Sequence, residues 1–424
     1  MLVVQPARPR TPSQGRIGLA IAGGGPTGGM YELGALRALD RAIENLDLTR
    51  LDCYVGVSSG AFIAAGLANR LSTESMCRIF LTGDGRHRFN PDMFLRPAFG
   101  EYFRRAASAP GLAMNWAREA LGDPMNASLG ELLSRLGGVV PNGLFDSAEI
   151  ELFLRRLFTS DGRSNDFREL DRPLYVVAVE LDSGKAVRFG AKDWDDVPIS
   201  LAIQASAALP GLYPPVCIRD RHFVDGALRR TMHASVALDH GIDLLLGVNP
   251  FVPFNANGTG KKPLGMARLA EGGLPVVLSQ TFRTLLQSRV QVGLEKYASQ
   301  YPETDQLVME PDEDDGEMFF TSVFSYSNRL KVCEYAFHST LKDLRERRAT
   351  LGPLLERNGL SLRDEVLDAR GLSILDGVAL DRPQTDATAR LRRSLDDVDA
   401  MLHREGVHGQ KAAKAAKRRT SRSS

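Results

Sequence analysis

The stretch Gly56-Val57-Ser58-Ser59-Gly60 follows the mainly apolar residues 51–55 and precedes the small, helix-forming residues 61–69. This pattern predicts a strand, a sharp turn that carries Ser58, and a helix. The glycines two residues before and after the serine let the backbone double back, because they have no Cβ. The helix directs free N–H groups toward the serine, where negative charge develops during acyl transfer. The pattern favours a nucleophile elbow, although the same residues alone also fit a tight turn with an incidental serine.

A second glycine-rich turn lies earlier in the chain. Apolar residues 17–22 precede Gly23-Gly24-Gly25-Pro26-Thr27-Gly28-Gly29, and residues 30–45 have leucines at helical spacing, which predicts strand, loop and helix. Such a loop binds an anion, either a nucleotide phosphate or the oxyanion of acyl transfer. Its first, third and sixth residues satisfy the dinucleotide fingerprint, which also expects an acid at the end of the next strand. The next strand ends instead at Ser58, which favours the oxyanion hole.

An aspartate far downstream supplies the third element. The segment Arg221-His222-Phe223-Val224 leads into Asp225-Gly226-Ala227. An aspartate at the end of a strand, with a glycine behind it, can approach a serine closely. An Ala/Ser-rich stretch that ends in the proline pair Pro214-Pro215 precedes it, over residues 205–216.

Together these features resemble the patatin-like acyl hydrolases, which include the patatin-like phospholipases. That family has, in order, a GGGxxG loop, a GxSxG serine, an Ala/Ser-rich stretch with a proline pair, and a DG[AG] motif. All four occur here within residues 17–250. The resemblance implies an α/β fold with a central, mostly parallel sheet flanked by helices. One departure is Thr27, because the family usually has arginine or lysine there, and the effect of this replacement stays open.

The resemblance implies a Ser-Asp dyad without a histidine. Carried over, Ser58 is the nucleophile, Asp225 is the base, and the backbone N–H groups of Gly24 and Gly25 are the oxyanion donors. The chain has seven histidines, and only His222 lies near a motif, where a surface role fits it better than a place in a triad. An aspartate with the ordinary pKa of ~3.9 is a weak base, so the site should be partly dehydrated to raise that pKa.

We therefore predict a serine acyl hydrolase of the phospholipase A or lysophospholipase type, with phospholipid or lysophospholipid esters as substrates. The same residues could act on acylglycerols or another hydrophobic ester, or catalyse acyl transfer, because the dyad acts on the ester bond and does not recognise the head group. Acyl-chain length, positional preference and oligomeric state stay open. The alternative from another class is a nucleotide-binding or regulatory module that holds phosphate in the glycine loop.

The composition indicates a globular enzyme without a metal or cofactor. The 424 residues, 43% of them hydrophobic, suffice for one large core with additions. The four cysteines lack metal or redox spacing, which predicts reduced thiols and a cytoplasmic location, with peripheral membrane contact as a further option. The acids of residues 310–317 do not have calcium-loop spacing and predict a solvated loop. The uncharged residues 197–218 contain four prolines, which argues against a transmembrane helix.

The pattern along the chain predicts four regions. They are a flexible leader (1–16), a catalytic domain (17–250), a helical C-terminal extension that completes or flanks the core (251–408), and a basic, disordered tail (409–424). Leucines at helical spacing at 341–355 and at 391–402 predict the helices of the extension. An aromatic-rich insertion at about 80–120 either caps a lipid cleft or touches a membrane surface, or it packs on the core. The tail has six lysines and arginines and no acid, which suits either contact with an anionic membrane or polyanion, or a solubilising role.

Overall fold

Two strand-turn-helix units form the centre of the fold. In the first, β2 (Ile17–Ile21) leads into α1 (Gly25–Ala42), and in the second, β4 (Cys53–Gly56) leads into α2 (Ser59–Ala68). Every residue of both strands is buried, as expected for parallel strands that are covered by helices on both faces. The computed structural model describes residues 1–8, 15–83, 89–100, 102, 142–160, 162–257, 268–314 and 328–378.

The two units belong to a nine-stranded sheet. Its other strands are β1 (Leu2–Gln5), β5 (Leu174–Glu180), β6 (Ala186–Phe189), β7 (Val216–Ile218), β8 (Arg221–Asp225), β9 (Leu244–Val248) and β10 (Asp305–Met309). The strand order is β1-β10-β9-β2-β4-β5-β8-β7, and β6 also pairs with β5. The five neighbours from β10 to β5 are parallel, while the outer pairs are antiparallel. The predicted central, mostly parallel sheet is confirmed.

Helices cover both faces of this sheet. Beyond α1 and α2 they are α3 (Thr73–Cys77), α4 (Ala148–Phe158), α5 (Ile199–Ser206), α6 (Ser235–Leu238), α7 (Gly273–Gln300), α8 (Arg329–Glu346), α9 (Arg348–Glu356) and α10 (Asp364–Asp368). A small separate sheet pairs β3 (Ile43–Glu44) with β11 (Ser361–Leu362). The contact between α1 and α8 is close because a Cβ at Gly34 would lie 2.3 Å from the carbonyl oxygen of Cys333.

The leader prediction is wrong for the first residues. Residues 2–5 form β1, which pairs with β10 along its whole length, and the N–H of Ala7 donates to Oδ1 of Asp305 at 2.7 Å. The apolar residues at positions 2–4 fit a pleated sheet edge. The prolines and arginines that follow them suggested an unstructured segment. Residues 9–14, also part of the predicted leader, lie outside the described residues.

The described part of the chain after residue 250 supplies helices, one strand of the large sheet and one strand of the small sheet. The leucines that predicted helices at residues 341–355 are buried in α8 and α9, and β10 pairs with β9 inside the sheet. Contacts group residues 1–378 into one unit and residues 379–424 into another. The second unit, which includes the basic tail and the leucine pattern at 391–402, lies outside the described residues. No helix of the described part is long and apolar enough to span a membrane.

Candidate active site

The turn around Ser58 has the geometry of a nucleophile elbow. Ser58 has φ 52° and ψ −122°, which is a strained conformation for a residue with a side chain. A Cβ at Gly56 would lie 2.3 Å from Cα of Ala61, and one at Gly60 would lie 2.5 Å from the carbonyl oxygen of Ile21. Only glycine fits at either position. The sequence pattern thus identified the turn for the correct steric reason.

The sheet brings the ends of β4 and β8 together. Strand β4 pairs with β5 up to the level of Val176, and β8, which runs the other way, pairs with β5 down to the level of Ala178. Both strands use the same edge of β5, since β6 pairs with β5 from residue 176 to residue 179. Gly56 and Asp225 therefore end their strands on either side of Val177. This register explains how two residues far apart in sequence meet.

The hydroxyl of Ser58 lies beside the carboxyl group of Asp225 and acts to lower the pKa of that group. Both residues are buried, and Oδ1 of Asp225 accepts the N–H of Ala227 at 2.9 Å. Burial nevertheless raises the pKa of Asp225 from 3.8 to about 6, although the N–H of Ala227 and the nearby hydroxyl of Ser58 oppose this rise. The carboxylate is therefore a stronger base than an exposed aspartate and is still ionised at neutral pH.

Ser206, the last residue of α5, links the two halves of this site. Its hydroxyl accepts the backbone N–H of Ser58 at 2.9 Å and donates to the carbonyl oxygen of Val177 at 2.6 Å. Val177 lies in the gap between the ends of β4 and β8, so Ser206 satisfies a carbonyl group that neither strand reaches. Ser206 belongs to the Ala/Ser-rich stretch of the sequence, but no role was predicted for it. A serine at the end of a mainly apolar helix was the available signal.

The glycine loop lies directly against the serine. A Cβ at Gly23 would lie 2.8 Å from Cβ of Ser58. Gly24 caps α1, Gly25 has φ +61°, and the helix begins there. The first N–H groups of a helix have no partner within it, and the first intrahelical bond here runs from Gly28 to the carbonyl of Gly24 at 3.0 Å. The free N–H groups of the first turn of α1 can thus bind an anion. Thr27 adds no charge to this site.

A buried polar cluster lies next to the glycine loop and holds the residue that packs against it. Pro250 blocks the space beside the loop, because a Cβ at Gly24 would lie 2.4 Å from its Cγ. The preceding Asn249 donates to Oε1 of Glu310 at 2.8 Å and to Oε1 of Gln287 at 2.8 Å. The acidic neighbours of Glu310 predicted a solvated loop, and for Glu310 this prediction is wrong. It directly follows β10 and is 3% exposed, and burial raises the pKa of its carboxyl group.

A second buried acid lies beside the elbow. The hydroxyl of Ser59, the residue after the nucleophile, donates to Oε1 of Glu32 at 2.8 Å. Glu32 lies on α1 and is completely buried, and burial raises the pKa of its carboxyl group well above the ordinary range. Its Oε2 atom has no hydrogen-bond partner. This contact joins the helix of the glycine loop to the helix of the elbow, and the sequence motifs did not include it.

Ser58 and Asp225 lie in an apolar pocket of about 140 Å³. Ser58, Asp225 and the start of α1 form one wall, and aromatic rings form much of the rest. Phe62, Phe80, Phe89 and Phe94 contact one another in sequence, with ring centroids 5.0–5.7 Å apart, and all four line the pocket. The described part of the predicted aromatic-rich insertion thus packs on the core and also lines the pocket. Of its other aromatic residues, Phe99 is exposed and contacts Tyr102, while Phe103 and Trp116 lie outside the described residues.

No histidine within the described ranges hydrogen-bonds Ser58. His222 is exposed on β8. His233 is buried, with φ 50°, and its Nε2 lies 3.3 Å from the carbonyl oxygen of Gly226. Burial lowers the pKa of His233 to about 4, so its ring is neutral at physiological pH. In the same described ranges, no three His, Cys, Asp or Glu side chains are grouped so that they could hold a metal ion.

A family model for patatin-like phospholipases matches residues 19–238, which is just over half of the chain. The chain belongs to the patatin-like phospholipase family. The matched region of this patatin-like chain contains the glycine loop, Ser58, Ser206 and Asp225. Family membership supports lipid hydrolase activity.

Two solved structures are similar to this patatin-like chain. One is VipD from Legionella pneumophila, at 16% identity over 60% of this chain and 55% of that chain, with a TM-score of 0.29. The other is full-length ExoU from the type III secretion system of Pseudomonas aeruginosa, in complex with SpcU, at 15% identity over 95% of this chain and 85% of that chain, with a TM-score of 0.25. The chain spans about half the length of VipD.

Proposed function

We propose that this chain is a serine acyl hydrolase that cleaves phospholipid or lysophospholipid esters through a Ser58–Asp225 dyad. The observation that carries the proposal is the position of the Ser58 hydroxyl beside the buried carboxyl group of Asp225, next to the glycine loop and in an apolar pocket that both residues line. An apolar pocket suits an acyl chain, since burial of each CH₂ group contributes about 0.8 kcal/mol. Acylglycerols, other hydrophobic esters and acyl transfer are the alternative reactions of the same site.

In the first step, Asp225 accepts the hydroxyl proton of Ser58 while Oγ attacks the ester carbonyl carbon. The N–H groups of Gly24 and Gly25 stabilise the resulting oxyanion. The tetrahedral intermediate then expels the alcohol, which takes the proton from Asp225, and an acyl-enzyme remains. In the second step, Asp225 accepts a proton from water, the hydroxide attacks the acyl-enzyme, and the fatty acid leaves as the proton returns to Ser58.

The test is the hydrolysis of a p-nitrophenyl acyl ester and a panel of phospholipids, lysophospholipids and acylglycerols. We expect Ser58→Ala, Asp225→Asn and the double variant to be equally inactive, because the two residues act as one unit. Ser183→Ala and Asp182→Asn are the matched controls. They change two exposed residues in the same way and should retain activity. Normal turnover by Ser58→Ala would refute the proposal. A folded His233→Asn protein as inactive as Ser58→Ala would replace the dyad by a triad.

The nucleotide-binding alternative finds less support in the electrostatics of the site. The carboxylate of Asp225 is buried beside the glycine loop, and a buried negative charge repels phosphate. Labelling by a fluorophosphonate separates the two functions. We expect one adduct per chain, which mass spectrometry should locate at Ser58. Saturable binding of NAD or ATP that competes with the ester substrate would favour the nucleotide module instead.

We also propose that the protein works in a reducing compartment such as the cytoplasm, where its basic tail contacts an anionic membrane or polyanion. All four cysteines are free thiols, and three of them are buried, which suits a reducing compartment. For the tail, each lysine or arginine near an anionic surface contributes about 1 kcal/mol. Deletion of residues 409–424 should weaken sedimentation with anionic vesicles at low salt. Unchanged sedimentation would leave the tail with a solubilising role.

A further inference from the structure

The long helix α7 has an unusual solvent-facing surface. Six of the eleven large apolar side chains that the described part of the chain leaves exposed are on this helix: Leu274, Val277, Leu278, Phe282, Leu285 and Val292. The only charged residue in positions 273–288 is Arg283, which is buried. The outer face of the first four turns therefore has no charge. Exposed apolar surfaces of this kind mark sites of interaction with a membrane or a protein.

The inner face of the second half of α7 is packed into the core, and in the first half Gln280 hydrogen-bonds the backbone N–H and carbonyl of Phe254, so the helix is fixed in position. Leu286, Val290, Leu294 and Tyr297 recur at helical spacing and are buried against the sheet. The exposed residues Leu274, Leu278, Leu285 and Val292 lie on the opposite side of the helix. The apolar surface thus belongs to an ordered part of the fold.

This surface is continuous with the candidate active site. Phe282 is 36% exposed on α7 and also lines the pocket that contains Ser58 and Asp225. A lipid whose acyl chain enters that pocket from a bilayer would cross the apolar face of α7. The position of Phe282 therefore argues for a lipid layer as the occupant of the face rather than a second protein.

The second half of α7 adds positive charge on the same side. Arg289 and Lys296 follow the apolar residues at helical spacing and line a groove of about 720 Å³, together with Arg229 and Arg230. The described residues that line this groove include no Asp or Glu, and Glu295 is the only acid in the helix. Each arginine has five N–H donors, so these side chains can bind phosphate oxygens of head groups while they keep their contacts within the protein.

We propose that the outer face of α7, with the groove beside it, is the surface that docks this protein on a bilayer of anionic phospholipid. The apolar side chains of the first four turns enter the layer. Arg289, Lys296, Arg229 and Arg230 bind its head groups. The proposal rests on the proposed function only in that the docked lipid is also the substrate. The docking step itself can be measured without turnover.

The test is co-sedimentation of the full-length Ser58→Ala protein with vesicles of phosphatidylcholine, alone or mixed with phosphatidylglycerol. We expect Leu278→Gln/Leu285→Gln to reduce binding to both vesicles by about tenfold or more, because two apolar anchors are lost. Arg289→Gln/Lys296→Gln should reduce binding only to the anionic vesicles, by roughly fivefold for each cation. Thermal unfolding shows whether each variant is folded.

The matched controls change exposed leucines and arginines elsewhere. Leu181→Gln/Leu330→Gln and Arg50→Gln/Arg70→Gln should bind like the parent, since these side chains are comparably exposed and lie on other elements. Equal vesicle binding by the parent and both α7 variants would overturn the proposal. A dimer of the parent that Leu278→Gln/Leu285→Gln converts to a monomer, without a loss of vesicle binding, would assign the face to a second copy of the chain. Inactivity of the unmodified protein on every ester would refute the proposed function and leave this result intact.

Discussion

The backbone N–H of Ser58 donates a 2.9 Å hydrogen bond to the hydroxyl oxygen of Ser206. The same hydroxyl donates to the carbonyl oxygen of Val177, so one side chain connects the elbow to the central strand β5. Ser58 has a positive φ, which costs on the order of 1 kcal/mol or more for a residue with a Cβ. This hydrogen bond helps to hold the strained turn in place, and it does so without contact with the reacting hydroxyl.

We predict that Ser206→Ala lowers both stability and turnover. The change leaves a buried N–H and a buried carbonyl oxygen without their partner, which costs roughly 1–3 kcal/mol. Because the elbow loses support, kcat should fall while KM changes little. Urea unfolding and steady-state kinetics on a p-nitrophenyl ester measure the two effects. Ser147→Ala is the control, since Ser147 is equally buried and bonds Gln204 away from the dyad. It should lose stability and keep its kcat.

A methyl group at Gly23 should damage catalysis more than binding. The new Cβ of Gly23→Ala would lie 2.8 Å from Cβ of Ser58, so either the nucleophile or the glycine loop must move. Loss of one oxyanion donor typically costs about 10²–10³ in kcat, and we expect a loss of that order with KM nearly unchanged. Gly352→Ala on α9 is the control, because a Cβ there meets nothing within 4 Å. Thr27→Ala should be mild, since no charge is lost.

The sequence allowed the centre of the fold to be predicted and its edges less so. The units β2-α1 and β4-α2 follow from local rules: an apolar run, glycines at a tight turn and a helical pattern. Strand β1 and its neighbour β10 are short, mixed segments about 300 residues apart in the chain, and they become strands only because they pair with each other and with β9. Such pairing depends on the tertiary fold and leaves little local signal.

The same distinction holds for the site. Ser58, Asp225 and the glycines were predicted, because a sharp turn requires particular residues at fixed spacing. Ser206 and Glu32 were not, since their roles arise from contacts 148 and 27 residues away in the chain. The acidic residues after Glu310 suggested that it is exposed. It is buried because it directly follows a buried strand. Residues that support a motif from another element leave no signature in the motif itself.

We predict that the dyad titrates near pH 6. Asp225 must be ionised to accept the proton of Ser58, and burial raises its pKa to about 6. The value of kcat/KM for a neutral ester should therefore rise with pH through an apparent pKa near that value and then level off. His233 has a pKa lowered to about 4, so it cannot produce this midpoint. A profile that stays flat as the pH falls well below the pKa of Asp225 would contradict its role as the base.

The same pKa predicts that Asp225 destabilises the fold at neutral pH. A carboxyl group with a raised folded-state pKa contributes stability below its unfolded pKa of ~3.9, and this contribution is lost as the pH rises through the folded-state pKa. The side chain of Asp225→Asn does not ionise, so this variant does not lose stability in that way as the pH rises. The free energy of unfolding of Asp225→Asn should therefore gain about 3 kcal/mol over the parent between acidic and neutral pH. Chemical denaturation at both pH values measures this gain, and exposed Asp182→Asn should show none.

The contact between Glu32 and Ser59 predicts a positioning role that does not depend on charge. Because burial raises the pKa of Glu32 well above its ordinary range, we expect a neutral carboxylic acid that accepts a hydrogen bond from the hydroxyl of Ser59. Glu32→Gln keeps that acceptor and should retain most of the parent kcat. Glu32→Ala and Ser59→Ala should each lower kcat more than they raise KM, and the double variant should be little worse than either, because both break one contact. Steady-state kinetics of the four variants measure the coupling. If Glu32→Gln were as inactive as Ser58→Ala, Glu32 would take part in proton transfer, and the dyad would need a third member.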